Sequence, residues 1–297
     1  MSFKEELEEK VEQVEKIIKE YLPREEGYQK TVLQAMNYSV LAGGKRLRPL
    51  LMQEAYRMFG GTGKEIEPFM AAMEMVHTYS LVHDDLPAMD NDEYRRGRKT
   101  THVMYGEAMA ILAGDGLLNY AFETVCKAFT LTQDSARVGQ ALALFAKKAG
   151  IYGMIGGQTA DIEAEDPDTE VTEDLLLFIH EHKTAALIQS ALMTGAILAG
   201  ASEEELRTLE KIGYDIGIAF QIQDDILDVT GDQETLGKPV GSDEKNNKVT
   251  YVTLKGIDLA RQAQKEISEE AIGMLASFSN RNPFLESLVR DLITREK

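Results

Sequence analysis

Apolar residues recur along most of this chain at intervals of three and four, the period of an amphipathic helix. Residues 3–22 place Leu7, Val11, Val14, Ile18 and Leu22 in that way. The same pattern predicts helices over 28–41, 49–59, 65–86, 104–130, 134–149, 173–199, 203–228, 249–275 and 284–295. Gly43-Gly44 is a good stop for the second helix, and Pro49 is placed to open the third. Pro87 interrupts the fourth, which puts Asp90 in a looser turn. Gly153, Gly156, Gly157 and Ala160 are small at helix-like spacing and allow close approach between helices. No strand-like alternation of useful length occurs, and no linker divides the sequence. The expected class is all-α: one domain over 1–297, a helical bundle around a central apolar cavity.

Composition narrows the partners. The formal net charge of −18 argues against nucleic acid, whose phosphates reward a basic surface, and against stable anchoring on anionic lipid. The single Cys126 excludes an intramolecular disulfide and fits a reducing, cytoplasmic setting. The first 22 residues are charged throughout, unlike a signal peptide. Ala185 to Ala201 is the most apolar run, but Gln189, Ser190 and Thr194 within it suit a packed interior helix better than a membrane span.

In so acidic a chain, islands of positive charge carry information. Gly43-Gly44-Lys45-Arg46-Leu47-Arg48-Pro49 sets three cations beside two glycines, a corner that a phosphate could approach. A solvated basic loop explains it equally well. Gly60-Gly61-Thr62-Gly63-Lys64 is a decoy: Glu65 follows where a P-loop needs Ser or Thr, and Met58 stands where its first Gly belongs. Next comes Asp84-Asp85-Leu86-Pro87-Ala88-Met89-Asp90, closely followed by Arg95-Arg96-Gly97-Arg98-Lys99. Carboxylates are hard ligands for Mg²⁺, which binds through one or two of them plus substrate phosphates. An acidic turn ending a helix in water fits this stretch alone about as well. His77 lies seven before Asp84, on nearly the same helix face.

The second carboxylate set breaks the tie. Gln221, Asp224, Asp225 and Asp228 fall at i, i+3, i+4 and i+7, one stripe of a helix flanked by Ile222, Ile226 and Leu227. Like charges so spaced destabilise a helix, and cations would compensate them. Lys183 sits in an apolar helix and demands an anionic partner. His180 and His182, two apart, face different ways and do not form a zinc pair. Eight acids between Asp161 and Asp174 read as a solvated loop leading to a Thr172 N-cap. An EF-hand is excluded, because Arg95 occupies the position of its invariant Gly. Two carboxylate sets with Lys45, Arg48, Arg95, Arg96, Lys183 and Lys238 suit a diphosphate held through metals and released as a leaving group.

These residues also match a family. GGKRLRP (43–49), DDLPAMD (84–90) followed by RRG, HKT (182–184), and QIQDDILD (221–228) with GKPVGSD occur in the order found in the trans-isoprenyl diphosphate synthases. The chain most resembles their bacterial short-chain, farnesyl-type branch, and it does so over nearly its whole length. The resemblance implies that Asp84 and Asp90, with Asp85 supporting, and Asp224, with Asp225 and Asp228, bind about three Mg²⁺ per site. It implies that Arg95, Lys183, Thr184, Gln221 and Lys238 hold an allylic diphosphate, and Lys45, Arg48, His77 and Arg96 isopentenyl diphosphate. Asp84, Asp85, Lys183 and Asp224 would be the catalytic set. Tyr79, five before the first Asp, would close the product pocket; Ser80 faces more nearly the way Asp84 does. Farnesyl diphosphate is the expected product and geranyl or geranylgeranyl diphosphate the alternatives. A homodimer is implied as well. A non-catalytic partner subunit is disfavoured by the retained aspartates and cations, and a terpene cyclase by the second DD-x₂-D.

Overall fold

Helices follow the apolar periodicity closely. The computed structural model describes residues 2–230 and 249–293. It contains α1 (Phe3–Tyr21), α2 (Lys30–Val40), α3 (Leu47–Met58), α4 (Ile66–Asp84), α5 (Thr101–Tyr105), α6 (Glu107–Cys126) and α7 (Ser135–Ala149). These are followed by α8 (Met154–Glu163), α9 (Glu173–Ile179), α10 (Ala186–Ala199) and α11 (Glu203–Thr230). Beyond residue 248 come α12 (Tyr251–Lys255), α13 (Ile257–Ser277) and α14 (Pro283–Ile293). The fold is all-α. Among the described residues the sheet is one ribbon, β1 (Tyr94–Arg95) paired antiparallel with β2 (Arg98–Lys99). Two-residue strands are too short to leave an alternating pattern in sequence.

Local chemistry sets the ends. Ser2 and Glu5 form a capping box at the start of α1, and the Thr172 hydroxyl accepts from Leu175 N–H, the cap expected before α9. Pro49 does not open α3. The helix starts at Leu47, and its first i→i−4 bond runs from Leu50 N–H to Arg46 C=O. A proline in the first turn is tolerated because N–H groups there have no partner within the helix.

Two predicted helices are each divided by a glycine. The 104–130 segment begins earlier, at Thr101, and breaks at Gly106 (φ 82°, ψ 156°). It ends as a 3₁₀ turn over Lys127–Thr130. The 249–275 segment breaks at Gly256 (φ 84°, ψ 156°). In both cases a five-residue helix, preceded by a threonine in extended conformation, gives way to a long one.

Contacts divide the chain into two compact units, Met1–Gln53 with Gly61–Gly139, and Glu54–Gly60 with Gln140–Lys297. In the first, α4 packs mainly against α6, and Phe69, Met70, Met73 and Leu117 are fully buried. In the second, α11 packs mainly against α13, with Ile218, Ile222, Ile226 and Ala260 in a common apolar cluster. Among the described residues no helix is long and apolar enough to cross a membrane. The Ala185–Ala201 run supplies the buried α10.

Candidate active site

In the first unit, α4 ends at Asp84, and Pro87 prevents its continuation. The chain turns back so that Asp90 N–H donates to Asp84 C=O at 2.8 Å, the looser turn expected for Asp90. Asp84 is half-buried, Asp85 buried and Asp90 exposed. Arg95 Nε donates to Asp85 Oδ1 at 2.6 Å. Burial raises the Asp85 carboxyl pKa, and the Arg95 charge opposes that rise. Asp85 therefore anchors Arg95. A half-open cleft alongside is lined by Thr78, Asp85, Arg95, Arg96, Lys99 and Thr100.

The basic corner is shaped by glycine. Gly43 and Gly44 take φ of 88° and 135°. A Cβ on Gly44 would lie 2.8 Å from Arg96 Cζ, and Arg96 donates to Gly43 C=O. The guanidinium thus rests on bare backbone. Lys45 is exposed and Arg48 half-buried, with Arg48 Nη1 3.5 Å from His77 Nε2. Burial lowers Arg48 to about 10, partly offset by Glu74. Burial first, and then the charges of Arg48, Arg96, Arg95 and Arg46, hold His77 well below the usual histidine value. His77 is therefore a neutral ring among cations, not a counter-charge to the aspartates.

Tyr79 is buried, its ring edge-on to His83 at 5.9 Å, and burial followed by the Asp84 charge pushes its phenol up to about 12. Ser80, half-buried, donates to His77 C=O at 2.9 Å.

In the second unit, His180–Ala185 forms a π-helical turn carrying His182-Lys183-Thr184. Such turns frequently occur at functional sites. Gly157 lets α8 press against it: a Cβ there would sit 2.1 Å from Lys183 N. The anionic partner that Lys183 requires is Asp161, whose Oδ2 lies 2.5 Å from Nζ. Asp161 is buried, so it stands apart from the acidic run it heads. Its sequence signal, an acid one helical turn after Gly157, was weak. Thr184 Oγ1 donates to Gln221 Oε1 at 2.7 Å, joining two of the expected diphosphate contacts.

Gln221, Asp224, Asp225 and Asp228 all lie on α11, beside the Ile218–Ile222–Ile226 face that packs on α13. Asp224 and Asp228 are half-buried, while Asp225 is buried and accepts from Tyr251 N–H at 2.7 Å, at the head of α12. In both pairs the second aspartate is the more buried and braces its own unit. Lys238 and the GKPVGSD loop lie outside the described residues. Among the described residues no three His, Cys, Asp or Glu side chains form a ready-made cation cage. The all-oxygen donors fit a hard cation that takes one or two carboxylates and completes its shell with phosphate and water.

The all-α fold thus carries two aspartate pairs, one in each unit. A family model described as "Polyprenyl synthetase" matches residues 29–286. The farnesyl diphosphate synthase of Geobacillus stearothermophilus is 45% identical over 86% of this chain and 85% of its own. The geranylgeranyl diphosphate synthase of Cyanophora paradoxa is 41% identical over 92% and 90%. A geranyltransferase from Helicobacter pylori, solved with magnesium and isoprenyl diphosphate, superposes with a TM-score of 0.84 at 32% identity, covering 99% and 97%. The chain belongs to the polyprenyl synthetase family.

Proposed function

We propose that this enzyme is a farnesyl diphosphate synthase. It joins isopentenyl diphosphate to dimethylallyl and then geranyl diphosphate, releasing pyrophosphate at each step. The observation that carries the reading is the complete set of motifs in order, DDLPAMD-x₄-RRG, HKT and QIQDDILD. The 45% identity to the Geobacillus synthase supports it.

Asp84, Asp90 and Asp224 are the metal-holding carboxylates, with Asp85, Asp225 and Asp228 in support. Mg²⁺ held there would neutralise charge on the departing diphosphate. Arg95, Lys183, Thr184, Gln221 and Lys238 bind the allylic diphosphate, whose C1–O bond breaks to leave an allylic cation and pyrophosphate. Lys45, Arg48, His77 and Arg96 hold the second diphosphate, so that C4 of isopentenyl diphosphate bonds to C1 of the cation. A proton then leaves C2 to the released pyrophosphate and forms the new double bond. Apolar helix walls exclude water from the cation. Neutral His77 serves as a hydrogen-bond partner.

We further read the chain as one functional domain over 1–297, working as a cytoplasmic homodimer. Geranylgeranyl diphosphate is the second reading for the product, favoured by the 41% identity to the Cyanophora synthase. Incubation of purified protein with Mg²⁺, isopentenyl diphosphate and dimethylallyl diphosphate, followed by chromatography, tests the assignment. A C15 product is expected, and a dominant C20 product would overturn the chain length. Asp84→Ala and Asp224→Ala should each lower turnover by orders of magnitude without loss of helical content, and near-normal activity in either would refute the metal assignment.

A further inference from the structure

Arg46 turns inward, whereas its neighbour Lys45 stays exposed. Arg46 is 3% exposed, between Lys45 and half-buried Arg48. Its Nη1 lies 2.6 Å from Glu74 Oε1, and its Nη2 donates to Val40 C=O at 2.8 Å. The Glu15 carboxylate is 3.4 Å from its Nε. One side chain thereby ties the corner to α1, to the end of α2 and to the middle of α4.

The backbone at Arg46 is equally unusual. Its φ is 49°, left-handed for a residue that carries a Cβ, and it follows two glycines with positive φ. Such a conformation persists only when its surroundings over-determine it. The Glu74 pair and the Val40 carbonyl supply that constraint. Glu74 is itself only 2% exposed, one helical turn before His77, and its charge supports the protonated forms of Arg48 and Arg96. A relaxed φ at Arg46 would swing Lys45 relative to Arg48, since both flank the pivot.

We propose that Arg46 and Glu74 are positioning residues for isopentenyl diphosphate, acting through the spread of Lys45 and Arg48 around a left-handed pivot. This rests on the reading that Lys45, Arg48, His77 and Arg96 hold that substrate.

Arg46→Met alone leaves Glu74 buried without its partner and risks unfolding. The decisive variant is therefore the double Arg46→Met/Glu74→Leu, which removes both charges together, with Arg46→Lys as the conservative comparison. In steady-state assays with geranyl diphosphate as co-substrate, the double variant should melt as a folded protein and show at least a tenfold higher KM for isopentenyl diphosphate. Its KM for geranyl diphosphate should stay within twofold, and kcat at saturation within threefold. Arg46→Lys should recover most of the lost affinity. A folded double variant with an unchanged KM for isopentenyl diphosphate overturns the proposal, as does an equal rise in both KM values. Should the wild-type chain turn over no isopentenyl diphosphate, the functional reading fails separately. Calorimetric binding of inorganic pyrophosphate then decides the positioning role: a tenfold weaker affinity in the double variant supports it, and equal affinity overturns it.

Discussion

Lys183 Nζ lies 2.5 Å from Asp161 Oδ2, and that pair joins the π-helical turn to α8. Lys183 remains 30% exposed in side chain while Asp161 is buried, so the carboxylate holds the lysine from the covered side. Asp161→Asn keeps size and an acceptor but removes the charge. The expected result is about a tenfold fall in kcat/KM for the allylic substrate, ~1.4 kcal/mol, with little change in KM for isopentenyl diphosphate. Steady-state kinetics varying each substrate separately would check it.

Gly44 supports Arg96 through the absence of a side chain. Gly44→Ala places a Cβ 2.8 Å from Arg96 Cζ at a φ of 135°, so the guanidinium must move and the backbone is strained by about 1–3 kcal/mol. A lower melting temperature and a higher KM for isopentenyl diphosphate are expected together. Unchanged values for both would show that Arg96 has room elsewhere.

His77 predicts a pH signature. Its native pKa is depressed by burial and by the surrounding arginines, whereas an unfolded histidine titrates near 6.5. Between those values the unfolded chain binds the extra proton. The contribution of neutral His77 is therefore full above about 6.5 and is lost as pH falls, by up to ~1.4 kcal/mol per pH unit. Denaturant unfolding of wild type and His77→Asn from pH 8 to pH 5 should show a shallower acid-side decline in the variant. Parallel curves would mean that the fold leaves the titration of His77 unshifted.

Under the proposed reading, Tyr79 is the side chain that closes the product pocket. It is buried and packed edge-on to His83, so Tyr79→Ala opens space beside the first aspartate motif. Products longer than those of the wild type are expected by chromatography. An unchanged product profile would move attention to Ser80.

Helix existence was legible because period and turn residues agree along the chain. The Thr172 cap, the Pro87 stop and the α11 stripe could all be read in advance. What escaped depends on neighbours far along the chain. Nothing in His180–Ala185 announces a π-turn, which exists where α8 and α11 crowd it through Gly157 and Gly217. In sequence Arg46 is one of three cations in the basic corner and Glu74 one acid among apolar residues, because an inward or outward direction is decided by tertiary partners. Asp161 was hidden by seven exposed or half-buried acids that follow it. Gly106 and Gly256 sit in apolar patterns that continue across them, and only their dihedrals separate the pieces.

Those two breaks agree to within 2° in φ and share a ψ of 156°, a region that essentially only glycine occupies. Each has the same surroundings: a helix carrying an aspartate pair near its end, an extended threonine, a five-residue helix, the glycine, and then a helix of 20 or 21 residues that packs on the aspartate helix. Even the bonds around the hinge match, Gly106 N–H to His102 C=O at 2.9 Å and Gly256 N–H to Val252 C=O at 2.8 Å. The chain therefore spells one structural phrase twice, once for each carboxylate set.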